Sequence, residues 1–341
     1  MFRRIVLVAG LAFGQNVTLE SGAATMIWNL AGGALVNFHL KDGRINPLVW
    51  EDRTSTAEIR MRSHFLCLDR WGAPSEAEKN AGVPFHGEAP RVMWRQRGAS
   101  AGEAEMTAQL PLARMSVRRT VRLQGQAALV TEAVTNDAPL GRVYNMVQHP
   151  TIGPPFLDET TVVDSNARQG FMQASPMPNP EQPSVVWPQA LKDGIPVNLR
   201  YLKDDPMPNV VSFVVDEEWG WTTAVNPAQG LLIGYIWRAS EYPWFNVWRH
   251  VENGKPFARG LEFGTTGLHQ PYPVLTKKGR IFGRQLFAFL DSGETQSRQY
   301  QVFLLKVPSA YVGVNRMEAQ GNEFVFTGRD DKRLRLRNLF Q

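Results

Sequence analysis

Apolar and polar residues alternate along much of the chain with a period of two. In "MSVRRTVRLQ", residues 115–124, Met115, Val117, Arg119, Val121 and Leu123 share one face while Ser116, Arg118, Thr120 and Arg122 share the other. That pattern predicts a half-exposed strand, with Arg119 the odd member of the apolar face. "GQ" and then "AALVTEAVTN" follow, which predicts a hairpin. "ALVNFHL" and "PLVW" flank Asp42-Gly43 and predict an earlier hairpin in which Gly43 takes a positive φ. "VVSFVVD", "GLLIGYIW", "RQLFAFL" and "QYQVFLLKV" are further short strand-like runs, separated by turn-forming residues. The 29 glycines and 23 prolines fall between such runs, and no helical heptad pattern emerges, so the expected class is all-β.

Two segments break the rhythm: Trp71 to Pro84, rich in small and charged residues, and Gln173 to Asp205, rich in proline. Loops of this length on a β-scaffold form sites or decorate the surface. Strand patterns of one type continue on both sides, and no repeat period is present, so 15–341 is expected to be a single domain. Residues 1–14 read as a signal peptide: Arg3 and Arg4, the apolar run "IVLVAGLAF", then Ala12-Phe13-Gly14 as a small-x-small cleavage site. Export to the periplasm or beyond is the expectation, and a first buried strand is the competing reading. No later stretch reaches the roughly 18 apolar residues of a membrane span.

Net charge of +5 and a pI near 9.4 raise the question of a nucleic-acid partner. The basic residues are scattered and alternate with acids, only the tail "RDDKRLRLRNL" is locally basic, and no recognition module is present, so none is expected. Cys67 stands alone, which excludes an intrachain disulfide and a multi-thiolate metal site, and reads as a small buried hydrophobe.

Six histidines remain as candidate chemistry. His39, His64, His250 and His269 have ordinary strand or flanking contexts, and no pair has a metal-ligand spacing, so no metal is expected. His86 in "VPFHGEAPRVMW" precedes a glycine, and His149 in "YNMVQHPTIGPPFL" precedes a proline-glycine turn. Glu262 in "FARGLEFGTTG" ends a strand-like run before a glycine-threonine turn.

In this order the three segments resemble the landmarks of the galactose mutarotase-like superfamily, which includes the aldose 1-epimerases. "GGALVNFHLKDGRINPLVW" is similar to the family's opening hairpin and "SVRRTVRLQGQAALVTEAVTND" to its paired strands; the resemblance runs from about Ala23 to Val307. Gln148 and Pro150 around the second histidine, and Phe263-Gly264 after the glutamate, mark a divergent member. The resemblance implies a large antiparallel β-sandwich acting on a monosaccharide or a glycan end without a cofactor. Glu262 is then the base, His149 the acid, and His86 a hydrogen-bonding partner of the ring oxygen or a neighbouring hydroxyl.

The chemistry fits these residue types. Anomer exchange removes the proton of the anomeric hydroxyl while protonating the ring oxygen, then reverses both steps after rotation. A partly desolvated carboxylate rises from its reference pKa of about 4.3 toward working pH, and imidazole titrates nearest neutrality. Aromatics of "ASEYPWFNVWRH", with Trp244 foremost among Tyr242, Phe245 and Trp248, are candidates for stacking on the sugar. Arg70 is a candidate for its hydroxyls, and the resemblance implies Asp216 as the counterpart of the family's sugar-holding aspartate. Three further readings stay open: a carbohydrate-binding protein without turnover, a glycan-cleaving enzyme whose second carboxylate is Asp158, Glu159 or Asp216, and a structural or interaction module, favoured where His149 and Glu262 lie far apart.

Overall fold

The computed structural model describes residues 16–201 and 209–340. The expected leader at 1–14 and the last residues of the proline-rich segment lie outside them. Two large antiparallel sheets dominate. The eleven-stranded one has at its centre His64–Asp69, Arg142–Ile152, Lys255–Gly264 and Trp244–Glu252 as successive neighbours. Asn16–Glu20, Ala24–Asn29 and Ala34–Leu40 extend it on one side. Asn209–Val214, Gln169–Met172 and Val185–Val186 extend it on the other, and Ala288–Leu290 also pairs with Arg142–Ile152. The eight-stranded sheet runs Val162–Ser165, Trp219–Asn226, Leu231–Arg238, Thr295–Lys306, Ala127–Asn136, Met115–Gln124, Glu103–Leu110, Arg95–Ala99.

Because side chains alternate across a strand, each central strand of the larger sheet sends half of its residues toward the second sheet. Leu66, Leu68, Met146, Leu261, Phe263 and Val247 go that way, meeting Val130, Val134, Tyr235, Trp237 and Tyr300 in one buried apolar cluster. The other half of those strands faces outward, and the candidate chemistry lies there. Met115–Gln124 and Ala127–Asn136 form the expected hairpin, Gln124 opposite Ala127, with Gly125 at φ +60° in the turn.

Arg119 sits where its alternation puts it, inside. Its guanidinium lies between the rings of Trp28 and Trp94, bonds the Gly33 carbonyl, and pairs with Glu132 at 2.6 Å. Glu132 in turn accepts from the Gln148 amide of the facing sheet, so one buried polar chain ties the layers together. An ion pair this deep is stable only with its remaining hydrogen-bonding capacity satisfied, which these partners supply.

The early hairpin differs from expectation. Ala34–Leu40 pairs with Ala24–Asn29, and "PLVW" forms no strand. The Asn46 side chain takes the partner's place: its oxygen accepts from Phe38 N at 3.1 Å and its amide donates to the Val36 carbonyl at 2.9 Å. Pro47 has no N–H to donate to a ladder, and Gly43 is not among the positive-φ positions. The period-two pattern also passed over two short helices, Glu76–Asn80 and Tyr272–Lys278. The first opens with a Ser75/Glu78 capping box. Residues beyond Val307 form a three-stranded sheet, Val314–Gln320, Glu323–Gly328 and Arg333–Arg337. Its Phe324, Phe326 and Leu336 pack on Trp219, Trp221 and Phe303, covering the outer side of the eight-stranded sheet.

Candidate active site

Register brings the landmarks together. Phe65 stands opposite His149, and Phe263 opposite Gln148, so the outward residues His149 and Glu262 are neighbours across adjacent strands. His149 Nε2 lies 3.2 Å from Glu262 Oε1. The Phe65 ring stacks on the imidazole, centroids 4.2 Å apart. Gly260, one step along the same strand face, leaves the space the Glu262 carboxylate occupies, since a Cβ there would sit 2.9 Å from Oε1.

The other wall comes from the segment after His64–Asp69. Trp71 donates its indole N–H to Glu262 Oε2 at 2.7 Å. His86 has φ +65° and is followed by Gly87 at φ +78°, where a Cβ would fall 2.0 Å from the Leu68 carbonyl oxygen. Only glycine fits that close approach, which sets His86 against the strand and explains the His-Gly pair. The His86 and His149 rings meet edge to face at 5.4 Å, and His269 lies 5.6 Å from His86 and 4.7 Å from Trp71. These groups line a cavity of about 390 Å³.

A backbone hydrogen bond fixes the tautomer of His86. His86 Nδ1 accepts from the Gly72 N–H at 3.1 Å, which leaves Nε2–H as a donor. His149 Nδ1 lies 3.0 Å from Thr151 Oγ1, and Nε2 faces Glu262. Burial sets the charges. It pushes the Glu262 carboxyl well above the usual range, against the Trp71 hydrogen bond that favours the ionised form. It pushes His149 down to about 3 and His269 down to about 4. His86 is held well below its usual value by burial and then by the neighbouring His149 and His269. Burial therefore favours the uncharged form of each of these groups, including Glu262 at its contact with His149 Nε2.

The other expected site residues lie elsewhere. Arg70 is buried and clamped by Asp69 at 2.9 Å and Glu78 at 2.7 Å, which anchors the short helix after Trp71 rather than a ligand. Trp244 is on the same strand face as Trp248 but is covered by Leu268, Leu275 and Ile281, with its N–H on the Gln285 carbonyl. Asp216 is exposed and pairs with Arg284 at 2.9 Å. Asp158 accepts from Thr160 and Asn226, and neither it nor Glu159 lines the cavity. Among the described residues no histidine, cysteine or carboxylate group forms a metal-binding cluster. Sequence reasoning missed Trp71, Trp50 and His269. Of the expected stacking aromatics Trp248 does line the cavity, and His250 could have been found with it from the alternation along Trp244–Glu252, which puts both on the face of Asn246, the residue opposite Glu262.

No family model matches this sequence, and no curated protein does. Solved structures do. A candidate aldose 1-epimerase from Escherichia coli K12 is 16% identical with a TM-score of 0.63, covering 86% of this chain and 100% of that one. A galactose mutarotase related enzyme from Lactobacillus acidophilus is 11% identical with a TM-score of 0.66, covering 86% and 98%. A galactose mutarotase-like protein from Lactobacillus casei is 15% identical with a TM-score of 0.62, covering 85% and 100%. The chain thus has the galactose mutarotase-like fold, a large antiparallel β-sandwich, at low sequence identity.

Proposed function

We propose that the protein is an aldose 1-epimerase-like isomerase that interconverts the anomers of a sugar by acid-base catalysis. The observation that carries this reading is the contact of His149 with Glu262, inside a cavity and beside a donor-oriented His86. The pair holds one proton in either of two arrangements of equal total charge. As imidazolium and carboxylate, Glu262 takes the proton of the anomeric hydroxyl while His149 gives one to the ring oxygen, and the C1–O5 bond breaks. The pair is then carboxylic acid and neutral imidazole, the uncharged arrangement that burial favours, and passage of the Glu262 proton to His149 Nε2 restores the reactive form. After rotation about C1–C2 the same two transfers run backward and close the other anomer. His86 Nε2–H donates to the ring oxygen or an adjacent hydroxyl, and Trp71 steadies the carboxylate when it is ionised.

Glu51 is matched by Arg60 and Arg62 at 3.7 and 3.8 Å, and Asp52 and Glu252 still outnumber Arg53 among the described charged lining residues near the mouth, which favours an uncharged sugar over a phosphorylated one. One observation favours a second reading, a binding protein without turnover: both Glu262 oxygens are already engaged, by Trp71 and His149. NMR of freshly dissolved α-glucose and α-galactose separates the two. Acceleration of anomer exchange that Glu262→Gln abolishes supports the isomerase, and binding with no acceleration by the wild type supports the binder.

A further inference from the structure

The cavity does not end at the acid-base pair. Trp248 lies two residues, and His250 four, along the strand from Asn246, the partner of Glu262. At roughly 3.3 Å per residue those backbone positions stand about 7 and 13 Å along the strand from Asn246, and the Glu262 carboxylate leans over Gly260 toward the first of them. The rings form a continuous file: His149 to Trp248 at 6.0 Å, Trp248 to His250 at 5.9 Å, His250 to Phe257 at 5.3 Å. Trp50 meets Trp248 at 5.3 Å and 77°, making a corner of two indoles that both line the cavity. Arg53 caps the file over Phe257 at 5.2 Å.

The acid-base groups occupy one part of this space only. Its volume, about 390 Å³, falls within the roughly 300–1,000 Å³ typical of pockets for drug-sized ligands, which are much larger than a single pyranose. A row of aromatic faces with polar groups at its end is the surface on which the C–H face of a second sugar ring packs.

We propose that Trp50, Trp248 and Phe257 form a second subsite, and that the preferred ligand is a reducing disaccharide. Its reducing ring lies at His149 and Glu262, and its second ring lies against the aromatic corner, with hydroxyls toward His250 and the mouth carboxylates. This rests on the isomerase reading for the inner ring alone; the outer subsite requires only that a sugar bind.

Calorimetric titration of the full chain with glucose, galactose, maltose, cellobiose and lactose tests it. At least one disaccharide is expected to bind about tenfold more tightly than its own reducing-end monosaccharide. In Phe257→Ala, and independently in Trp50→Leu, that ratio falls toward one; melting curves establish that each variant is folded. Disaccharides that bind no better than monosaccharides, or a ratio unchanged in both variants, overturn the proposal. Anomer exchange measured on the same samples keeps the readings apart. A disaccharide preference without exchange removes the isomerase and leaves the subsite, while exchange on glucose without a disaccharide preference does the reverse.

Discussion

Gly260→Ala is a small change aimed at the proton-sharing pair. Gly260 lies in the extended strand Lys255–Gly264, where alanine meets no backbone strain. The new methyl would sit 2.9 Å from Glu262 Oε1 and 3.1 Å from Trp248 Cβ. Ordinary contact begins near 3.5 Å, so Oε1 must retreat by about half an ångström. That oxygen ends a side chain and can give by this amount, Trp248 Cβ must give by a few tenths of an ångström, and alanine reduces the freedom of the unfolded chain by about 0.4–1 kcal/mol, which offsets part of that strain. Folding stability should therefore change by less than about 1 kcal/mol. Yet Oε1 is the atom 3.2 Å from His149 Nε2, and a misplacement of about 1 Å can cost roughly 100-fold in rate, so half of that corresponds to about tenfold. The assay pairs anomer exchange by NMR with a thermal melt on the same sample. A variant that melts like the wild type and turns over about tenfold more slowly is the expected result. Wild-type turnover would falsify the assignment of this carboxylate, and a loss of several kcal/mol would show that the methyl strains the strand instead.

Trp71→Phe removes the one hydrogen bond that favours ionised Glu262, so the ascending limb of the pH–rate profile should move to higher pH; an unmoved limb argues that Glu262 is not the base. Arg119→Met leaves Glu132 buried and unpaired and should cost about 3–5 kcal/mol in urea unfolding, while the double change with Glu132→Leu recovers most of it. His64, held near 3, and His269, held near 4, stay neutral in the folded chain but take up protons when unfolded below about 6.5. Their contribution is intact above that pH and is lost as pH falls toward 4, by about 2 kcal/mol each between pH 7 and 5. Glu262, raised by burial, acts in the opposite direction above about 4.3, so Glu262→Gln should steepen the acid loss seen in denaturant titrations, and a shallower curve would contradict the assigned direction.

Much of the scaffold was legible because its strands are half-buried or alternate cleanly. Met115–Gln124 shows this best: Arg119 broke the apolar row yet belonged inside, since Trp28 and Glu132 come from other strands and Trp94 from the loop before Arg95–Ala99, which its own segment cannot reveal. The expected early hairpin failed for a local reason, the Asn46 side chain satisfying backbone groups that a second strand would otherwise meet. His86, His149 and Glu262 could be picked out by their glycine and proline surroundings and their order, and the structure gathers them around one cavity. Trp71 and His269 could not, because they reach the site from loops whose course depends on Gly72, at φ +99°, making room for the His269 ring. Arg70 was misleading since a buried arginine beside a strand end serves a structural carboxylate as readily as a substrate. Trp244 was misleading for another reason: alternation assigns its face but not what covers it.

The central claim is that Glu262 and His149 exchange one proton with a sugar. Anomer exchange should be measured on freshly dissolved α-glucose, α-galactose and a reducing disaccharide, with wild type and Glu262→Gln at equal concentration. Acceleration by the wild type and its loss in a folded Glu262→Gln variant that still binds sugar is the predicted result. Equal exchange rates in the two proteins, or wild-type binding with no exchange on any of the three sugars, would contradict it.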